Sequence, residues 1–511
     1  MSHSDTRVTT TDGVVEGVDH NGLHSWRGIP YAAPPMGDRR FRAPEPATAW
    51  SGVRLAHSFR NAAPQARRYT TIGINKYQPV SEDCLTLNVL APATRSGPLP
   101  VMVFIHGGAY ILGSSLTYRG DSLVRAGGVV YVSINYRLGT LGYLDLSGFS
   151  SEERRYDSNL GLRDQLAALQ WVQRNIAAFG GDPDNVTVFG ESAGGNAVTT
   201  LLAVPSAEGL FHRAIAESSA PALTLKAQWA RQFASTFVDI LGETHDDPIA
   251  ALHSATPAEL GRAGDVLSRK VSKMIPGALP FGPTIDGDLL PIDPIDAAAQ
   301  GRTLPVPLLL GSNLAEANLF AKVFPVLPTS PEALDKVLAG ADDDARQRIL
   351  DAYPDYPAPE TCRQIMADMI FWAPSVAIAD GHSRHAPTFM YRFDYSTRVL
   401  DATGFGATHG IELFGVFGLF TSRIGGLLTV AGDRKSARRV TAEMQSDWAS
   451  FAATGAPRSG WRRYDTTTRA VKVIDDPSRT ELDPHAERRK AWSRYQAYSE
   501  VPLGGGIPSQ E

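Results

Sequence analysis

Cysteine is nearly absent from this 511-residue chain: Cys84 and Cys362 are its only two. Two thiols cannot build a disulfide framework, and neither lies in a metal-like cluster. Long apolar runs are missing as well, with no stretch approaching the roughly 20 residues of a membrane-spanning helix. The start, Met1-Ser2-His3-Ser4-Asp5, carries neither the basic nor the apolar region of a secretory signal. These absences give the expectation of a soluble, cytoplasmic protein with reduced thiols and no membrane contact. Charge of one sign is also lacking, since 49 Lys and Arg stand against 54 Asp and Glu for a net −5. The short basic clusters Arg438-Arg439 and Arg488-Arg489-Lys490 are mixed with acids and read as solvated helix faces, so no nucleic-acid footprint is present. No internal repeat, long polar tract or composition shift marks a linker, and residues 1–511 are read as a single domain.

What is there is an alternation of strand and helix signals, which gives an α/β fold. Residues 8–31 alternate strand-like runs with Gly turns, as in an N-terminal meander. Leu85–Leu90, Val101–Ile105 and Val129–Ile134 are apolar, β-branched runs suited to strands covered on both faces. Leu162, Leu166, Leu169, Val172 and Ile176 recur at helical spacing until Gly180-Gly181 stops the helix. Val306–Leu310 is a further buried strand, with Pro307 at its entrance. Residues 222–303 and 325–386 read as mostly helical insertions over the sheet's C-terminal edge, and 503–511 as a frayed tail.

The most specific signal is Gly190-Glu191-Ser192-Ala193-Gly194, entered from the apolar run Val186–Phe189. A strand that breaks at glycine and opens into a helix holds its serine above the sheet, within reach of an electrophilic carbon. A serine hydroxyl needs a base to take its proton and an acid to orient that base, in the chain order Ser, Asp/Glu, His. Glu316 meets the position for the acid, a few residues past the strand ending at Leu310; Asp286 and Asp288 read better as a turn. Four histidines lie downstream: His382 and His385 in a polar stretch read as a solvated loop, His409 in a glycine-flanked loop before an apolar run, and His485 in a charged segment. Pattern alone favours His409 without excluding the other three. An oxyanion hole needs backbone N–H donors, which Ala193 and the turn His106-Gly107-Gly108-Ala109 after Phe104-Ile105 would supply.

Taken with these motifs, the chain resembles the type-B carboxylesterases of the α/β-hydrolase superfamily, which include bacterial para-nitrobenzyl esterases, mammalian carboxylesterases and cholinesterases. The likeness runs nearly end to end. Arg27–Ala32, Arg40-Phe41, Ser81–Leu85, Phe104–Ala109, Asn135–Gly139, Asp164-Gln165 and Phe179–Pro183 lead up to the elbow. Gly311-Ser312-Asn313 with Glu316, His409-Gly410 with Glu412, and Trp448 with Phe451-Ala452 lie beyond it. The resemblance implies a large, mostly parallel twisted sheet flanked by helices, with the insertions covering the active site. It implies Ser192 as nucleophile, Glu316 as acid and His409 as base, with Gly108, Ala109 and Ala193 as oxyanion donors. Ser218 would support the triad and Glu191 would stand beside the nucleophile, while Glu82 would pair with Arg40 and Arg137. No metal or organic cofactor is implied.

The departures narrow the expectation. Ala63 replaces the disulfide partner of Cys84, so a free thiol is expected. Ile74 and Leu319 stand where cholinesterases carry aromatic rings, which removes the cation–π site for a quaternary ammonium. Ala317 replaces a glycine after the acid, and Ala109 a third glycine of the donor turn, whose backbone N–H survives. The implied activity is hydrolysis of small-molecule carboxylic esters through an acyl-serine. Carbamate or amide hydrolysis and transacylation by the same triad are the alternatives, and a non-enzymatic partner-binding member of the fold is a further one. The aromatics Phe371-Trp372, Phe414, Phe417 and Phe420 fit either a pocket lining or, by their spacing, core packing.

Overall fold

The apolar runs singled out in the sequence become adjacent strands of one sheet. The structure is a computed structural model that describes residues 6–493 apart from 74–75, 276, 324–326, 328, 339–342 and 459, so Ile74 and the expected tail 503–511 lie outside the described residues. We number the strands of the main sheet β1 (Val18–His20), β2 (Leu23–Pro30), β3 (Thr86–Pro92), β4 (Leu99–Ile105), β5 (Val130–Ile134), β6 (Gly181–Glu191), β7 (Arg213–Glu217), β8 (Leu308–Asn313), β9 (Thr388–Phe393), β10 (Ala470–Ile474) and β11 (Arg479–Leu482). Their spatial order is β11-β10-β9-β8-β7-β6-β4-β5-β3-β2-β1. From β5 through β10 all neighbours run parallel, and both edges are antiparallel. The central strands are buried almost throughout, which explains why they read as continuous apolar runs instead of alternating ones.

The helices that matter for the site are α1 (Leu160–Asn175), α2 (Ala193–Leu201), α3 (Ala227–Gly242), α4 (Pro257–Met274), α5 (Pro359–Ala367), α6 (Ala373–His382), α7 (Glu412–Val416), α8 (Arg434–Thr454) and α9 (Ala486–Trp492). Helix α1 follows the predicted periodicity, then tightens to a 3₁₀ turn that ends at Gly180 with φ 87°. Helices α3 and α4 lie between β7 and β8, and α5 and α6 between β8 and β9. Helix α4 begins with a full capping box, Thr256 and Glu259 bonding reciprocally. Two apolar clusters, one on each face of the sheet, form the core. Side chains of one strand divide between them: Val101, Val103 and Ile105 join one cluster, while Met102 and Phe104 join the other.

Strand β4 sits where the strand order reverses, with β5 on one side and β6 on the other. The carboxyl ends of β4 and β6 therefore open into the crevice where sheets of this kind place their ligands. Both glycine-bearing motifs start there.

Several sequence expectations change on folding. Strand β8 runs three residues past Leu310, to Asn313. His382 is fully buried at the end of α6, bonded to Thr303 Oγ1 at 2.8 Å and to the Val306 carbonyl at 2.9 Å, not solvated in a loop. Arg40 pairs with Glu82 as expected, but Arg137 turns away to Asp164, with Nε–Oδ2 at 2.8 Å and Nη2–Oδ1 at 2.6 Å. Two buried cations each take their own carboxylate, which avoids an underneutralised triplet. Asp286 is a turn residue, accepting from the Asp288 and Leu290 amides at 3.0 Å each. Cys84 and Cys362 are both buried and unpaired, and burial pushes the Cys84 thiol far above its ordinary range. Among the described residues no helix is long and apolar enough to cross a membrane.

Candidate active site

Ser192 stands at a sharp break between β6 and α2, with φ 60° and ψ −123°. A non-glycine residue there is strained and is held only by its surroundings. Its amide donates to the Glu217 carbonyl at 3.0 Å, and its carbonyl accepts the Asn196 amide at 2.8 Å to start α2. The glycines make the break possible by letting backbones approach. A Cβ on Gly194 would lie 2.0 Å from the Ile105 carbonyl oxygen at the end of β4, and one on Gly107 would lie 2.5 Å from the Glu191 carbonyl oxygen and 3.0 Å from the Ser192 Cβ.

The glycine turn after β4, expected to supply oxyanion donors, is held from both ends. Gly108 has φ 113° and Ala109 φ 51°, and the Gly108 carbonyl accepts from Ile111 and Leu112, each at 3.0 Å. Tyr110 Oη donates to Asn196 Oδ1 at 2.5 Å, tying the turn to α2 one helical turn beyond Ser192. Ala193 opens α2, where the first N–H groups have no partner inside the helix and favour negative charge. Gly107, Glu191 and Ser192 thus crowd together at the carboxyl ends of β4 and β6.

His409 comes from a loop ahead of α7. Its Nδ1 lies 2.6 Å from Glu316 Oε2, and its Nε2 lies 3.2 Å from Glu191 Oε1, the residue before the elbow serine. Glu316 in turn accepts the Asn313 amide on Oε1 at 2.6 Å. Asn313 ties the neighbouring loops together: its Nδ2 donates to the Thr408 carbonyl at 2.9 Å and also to Glu412 Oε2. Ser218 Oγ donates to the other oxygen of Glu412 at 2.5 Å, while the Ser218 amide donates to the Gly311 carbonyl at 2.8 Å. The structure therefore brings Ser192, Glu191, Glu316, His409 and Ser218 into one cluster and leaves His382 and His385 with Thr303 and His485 beside Arg392.

Asn313, Glu217, Glu412 and Phe320 belong to this neighbourhood without a role assigned to them in the sequence, and Phe371, one of the aromatics that fitted a pocket lining or core packing, joins them. Glu217 accepts from Trp448 Nε1 at 2.7 Å beneath the elbow. The rings of Phe371 and Phe320 lie 4.8 Å and 4.9 Å from the His409 ring. Phe417, by contrast, packs on Phe104 and Tyr118 in the core. A buried Asn closing an apolar strand was the one signal in the sequence that pointed to a polar junction here.

Burial dominates the electrostatics. It pushes the Glu191 carboxyl up to about 7, with His409 opposing and Glu316 assisting, and the Glu412 carboxyl up to about 8, helped by Glu191 and Glu316. Glu217 is pushed well above the carboxylate range by burial and then by Glu412. For His409 burial acts downward, but the adjacent carboxylates of Glu191 and Glu316 outweigh it and raise the imidazole to about 9. The Glu191 carboxyl depends on the charge of both His409 and Glu316, so its value belongs to the cluster and not to an independent group. When His409 is neutral with Nδ1–H on Glu316, its Nε2 presents a lone pair. Among the described residues no group of three or more His, Cys, Asp or Glu side chains is placed to hold a metal ion.

The Carboxylesterase family matches residues 4–492 of the chain. The para-nitrobenzyl esterase of Bacillus subtilis is 40% identical over 491 residues, spanning 94% of this chain and 97% of that protein. The human cocaine esterase is 34% identical over 519 residues, spanning 93% and 89%. Among solved structures, a thermophilic para-nitrobenzyl esterase superposes with a TM-score of 0.85 at 38% identity, covering 96% of this chain and 100% of that one. The Geobacillus stearothermophilus carboxylesterase superposes at 0.82 with 36% identity, covering 95% and 100%. The chain belongs to the carboxylesterase family, carboxylic ester hydrolases of the α/β-hydrolase fold.

Proposed function

We propose that this enzyme hydrolyses small carboxylic esters with Ser192 as nucleophile, His409 as general base and acid, and Glu316 as the residue that fixes the His409 tautomer. The observation that carries this reading is the 2.6 Å contact of Glu316 with His409 Nδ1, which leaves Nε2 directed at the elbow end of β6. Nε2 takes the Ser192 proton as Oγ attacks the ester carbonyl. The oxyanion is received by the N–H groups of Gly108, Ala109 and Ala193, each such donor being worth roughly a hundredfold or more in turnover. His409 then protonates the leaving alcohol, and water repeats the cycle on the acyl-serine. Glu191 stands 3.2 Å from His409 Nε2 and supports its positive charge, and Ser218 holds Glu412 in place behind it.

The whole chain acts as one hydrolase domain, with the segments 222–303 and 325–386 as the cover over the site; Phe371 of the second against His409 supports this. Cytoplasmic residence is part of the same reading, supported by two buried, unpaired thiols. The test is hydrolysis of para-nitrophenyl esters by wild type and Ser192→Ala, with fluorophosphonate labelling mapped by peptide mass. Activity should vanish in the variant, and the adduct should fall on Ser192. An adduct on any other serine, or a variant that keeps most of its turnover, would sink the assignment.

A further inference from the structure

Helices α5 and α6 form one continuous rod interrupted by a π-helical turn at Asp368–Trp372. Such a turn inserts an extra residue and rotates the remainder of the rod by about 100° relative to an unbroken helix. Here the rotated residue is Phe371, whose ring reaches the His409 imidazole at 4.8 Å. The turn does not stand on its own. Its first residue, Asp368, is buried and accepts from Tyr353 Oη at 2.5 Å, from Gln364 Nε2 at 2.7 Å and from Arg488 Nη1 at 2.9 Å. Arg488 and Trp492 both come from α9, which is far from the elbow in sequence. The Arg488 guanidinium packs 5.7 Å from the Trp372 ring, the last residue of the turn, and Trp492 Nε1 donates to Tyr353 Oη at 2.7 Å. One helix thus grips both ends of the π turn.

We infer that Arg488 is a positioning residue for His409: by anchoring Asp368 it fixes the π turn, and the turn sets the Phe371 ring against the imidazole. The inference rests on the reading of His409 as the base. A ring face beside the imidazole limits its rotation between productive and unproductive orientations and favours its protonated state by cation–π attraction. The charged groups facing His409 are Glu191 from β6, Glu316 beyond β8 and Glu412 from α7, and none of them hydrogen-bonds to Asp368 or Arg488. Asp368, Arg392, His485 and Arg488 line a small cavity with Glu316, so the path from Arg488 to His409 through the packed π turn is separated from any charge effect by the Phe371 arm of the cycle.

A double-mutant cycle with para-nitrophenyl acetate tests this. Arg488→Gln and Phe371→Leu should each lower kcat about tenfold with KM changed less than about threefold, and the double variant should be no slower than the slower single. The acid limb of kcat/KM should move to lower pH by the same amount in all three, and Arg488→Lys should recover part of the loss. Losses that multiply to about a hundredfold, or an acid limb that moves in Phe371→Leu alone, would overturn the inference. Should Arg488→Gln fail to fold because Asp368 is left unpaired, the neutral pair Asp368→Asn with Arg488→Gln takes its place in the cycle. Wild-type fluorophosphonate labelling at Ser192 alongside additive losses would leave the proposed function standing and remove only the Arg488 relay.

Discussion

Replacing Glu191 by Gln isolates the electrostatics of His409, the proposed base. Glu191 is the first of the carboxylates that raise His409, and its Oε1 lies 3.2 Å from Nε2. Full unit charges at 3.2 Å interact by about 5 kcal/mol at an effective dielectric near 20, equivalent to roughly four pH units. The working figure is smaller, because burial holds Glu191 itself at about 7 and its charge is partial near neutrality. In the wild type the pair should lose its protons in two steps, and kcat/KM should rise through both. Glu191→Gln leaves a single step, governed by burial and by Glu316, and we expect it about one to three units below the upper wild-type step. The assay is kcat/KM for para-nitrophenyl acetate from about pH 5 to 10, paired with direct titration of the His409 imidazole by NMR. An upper step that stays where it is, or one that moves upward, would show that Glu191 does not set the basicity of His409.

The other predictions concern stability and backbone approach. Glu412 is raised above its unfolded value by burial, and His409 is raised by its carboxylates, so both bind more protons folded than unfolded. For each, the stabilisation is full below the unfolded pKa and is lost as pH climbs through the folded one, so the Glu412 share declines from about pH 4.5 to 8 and the His409 share joins it between about pH 6.5 and 9. Glu412→Gln, which can still bond Ser218 and Asn313, should remove on the order of 1–3 kcal/mol of that alkaline loss. Thermal unfolding at both ends of this range reads the change; a variant as pH-sensitive as the wild type would refute it. Gly194→Ala places a methyl 2.0 Å from the Ile105 oxygen, so the elbow must shift away from β4. Even a shift near 1 Å should lower kcat/KM roughly a hundredfold or more, and a normal fluorophosphonate labelling rate would contradict it.

Much of the fold was legible because the central strands carry their burial in their composition. Val101–Ile105 and Val186–Phe189 read as strands without reference to one another. The elbow and the donor turn were legible because each needs glycine for a stated steric reason, and Glu316 because it follows a strand end. Partner choice was not legible. Arg137 has two buried acids within the same part of the chain order, and only the path of α1 directs it to Asp164. His382 sits in a polar stretch of sequence, but one turn of helix carries it inward to Thr303. Phe371 and Phe417 looked alike as spaced aromatics; a π turn sends one to the imidazole and ordinary packing sends the other to the core.

The charge inventory explains why this cluster holds protons at all. Glu191, Glu217, Glu316 and Glu412 are all buried near one imidazole, and among the described residues the ion pairs they form are those of Glu191 and Glu316 with His409. Four carboxylates and one imidazolium would leave three uncompensated charges in a dry interior, a state that costs several kcal/mol per ion. The hydrogen bonds decide where ionisation is tolerated. Glu316 has both oxygens engaged, one by the Asn313 amide and the other by His409 Nδ1. Glu217 has the Trp448 donor on one oxygen only, so it takes a proton instead. Glu412 also has both oxygens engaged, but by Ser218 Oγ and Asn313 Nδ2 instead of the imidazole, and Glu191 lies beside Nε2. Glu316 is thus set apart from its three neighbours by its contact with His409 Nδ1, which is the physical reason for Glu316, and not Glu412 or Glu217, to complete the proposed triad.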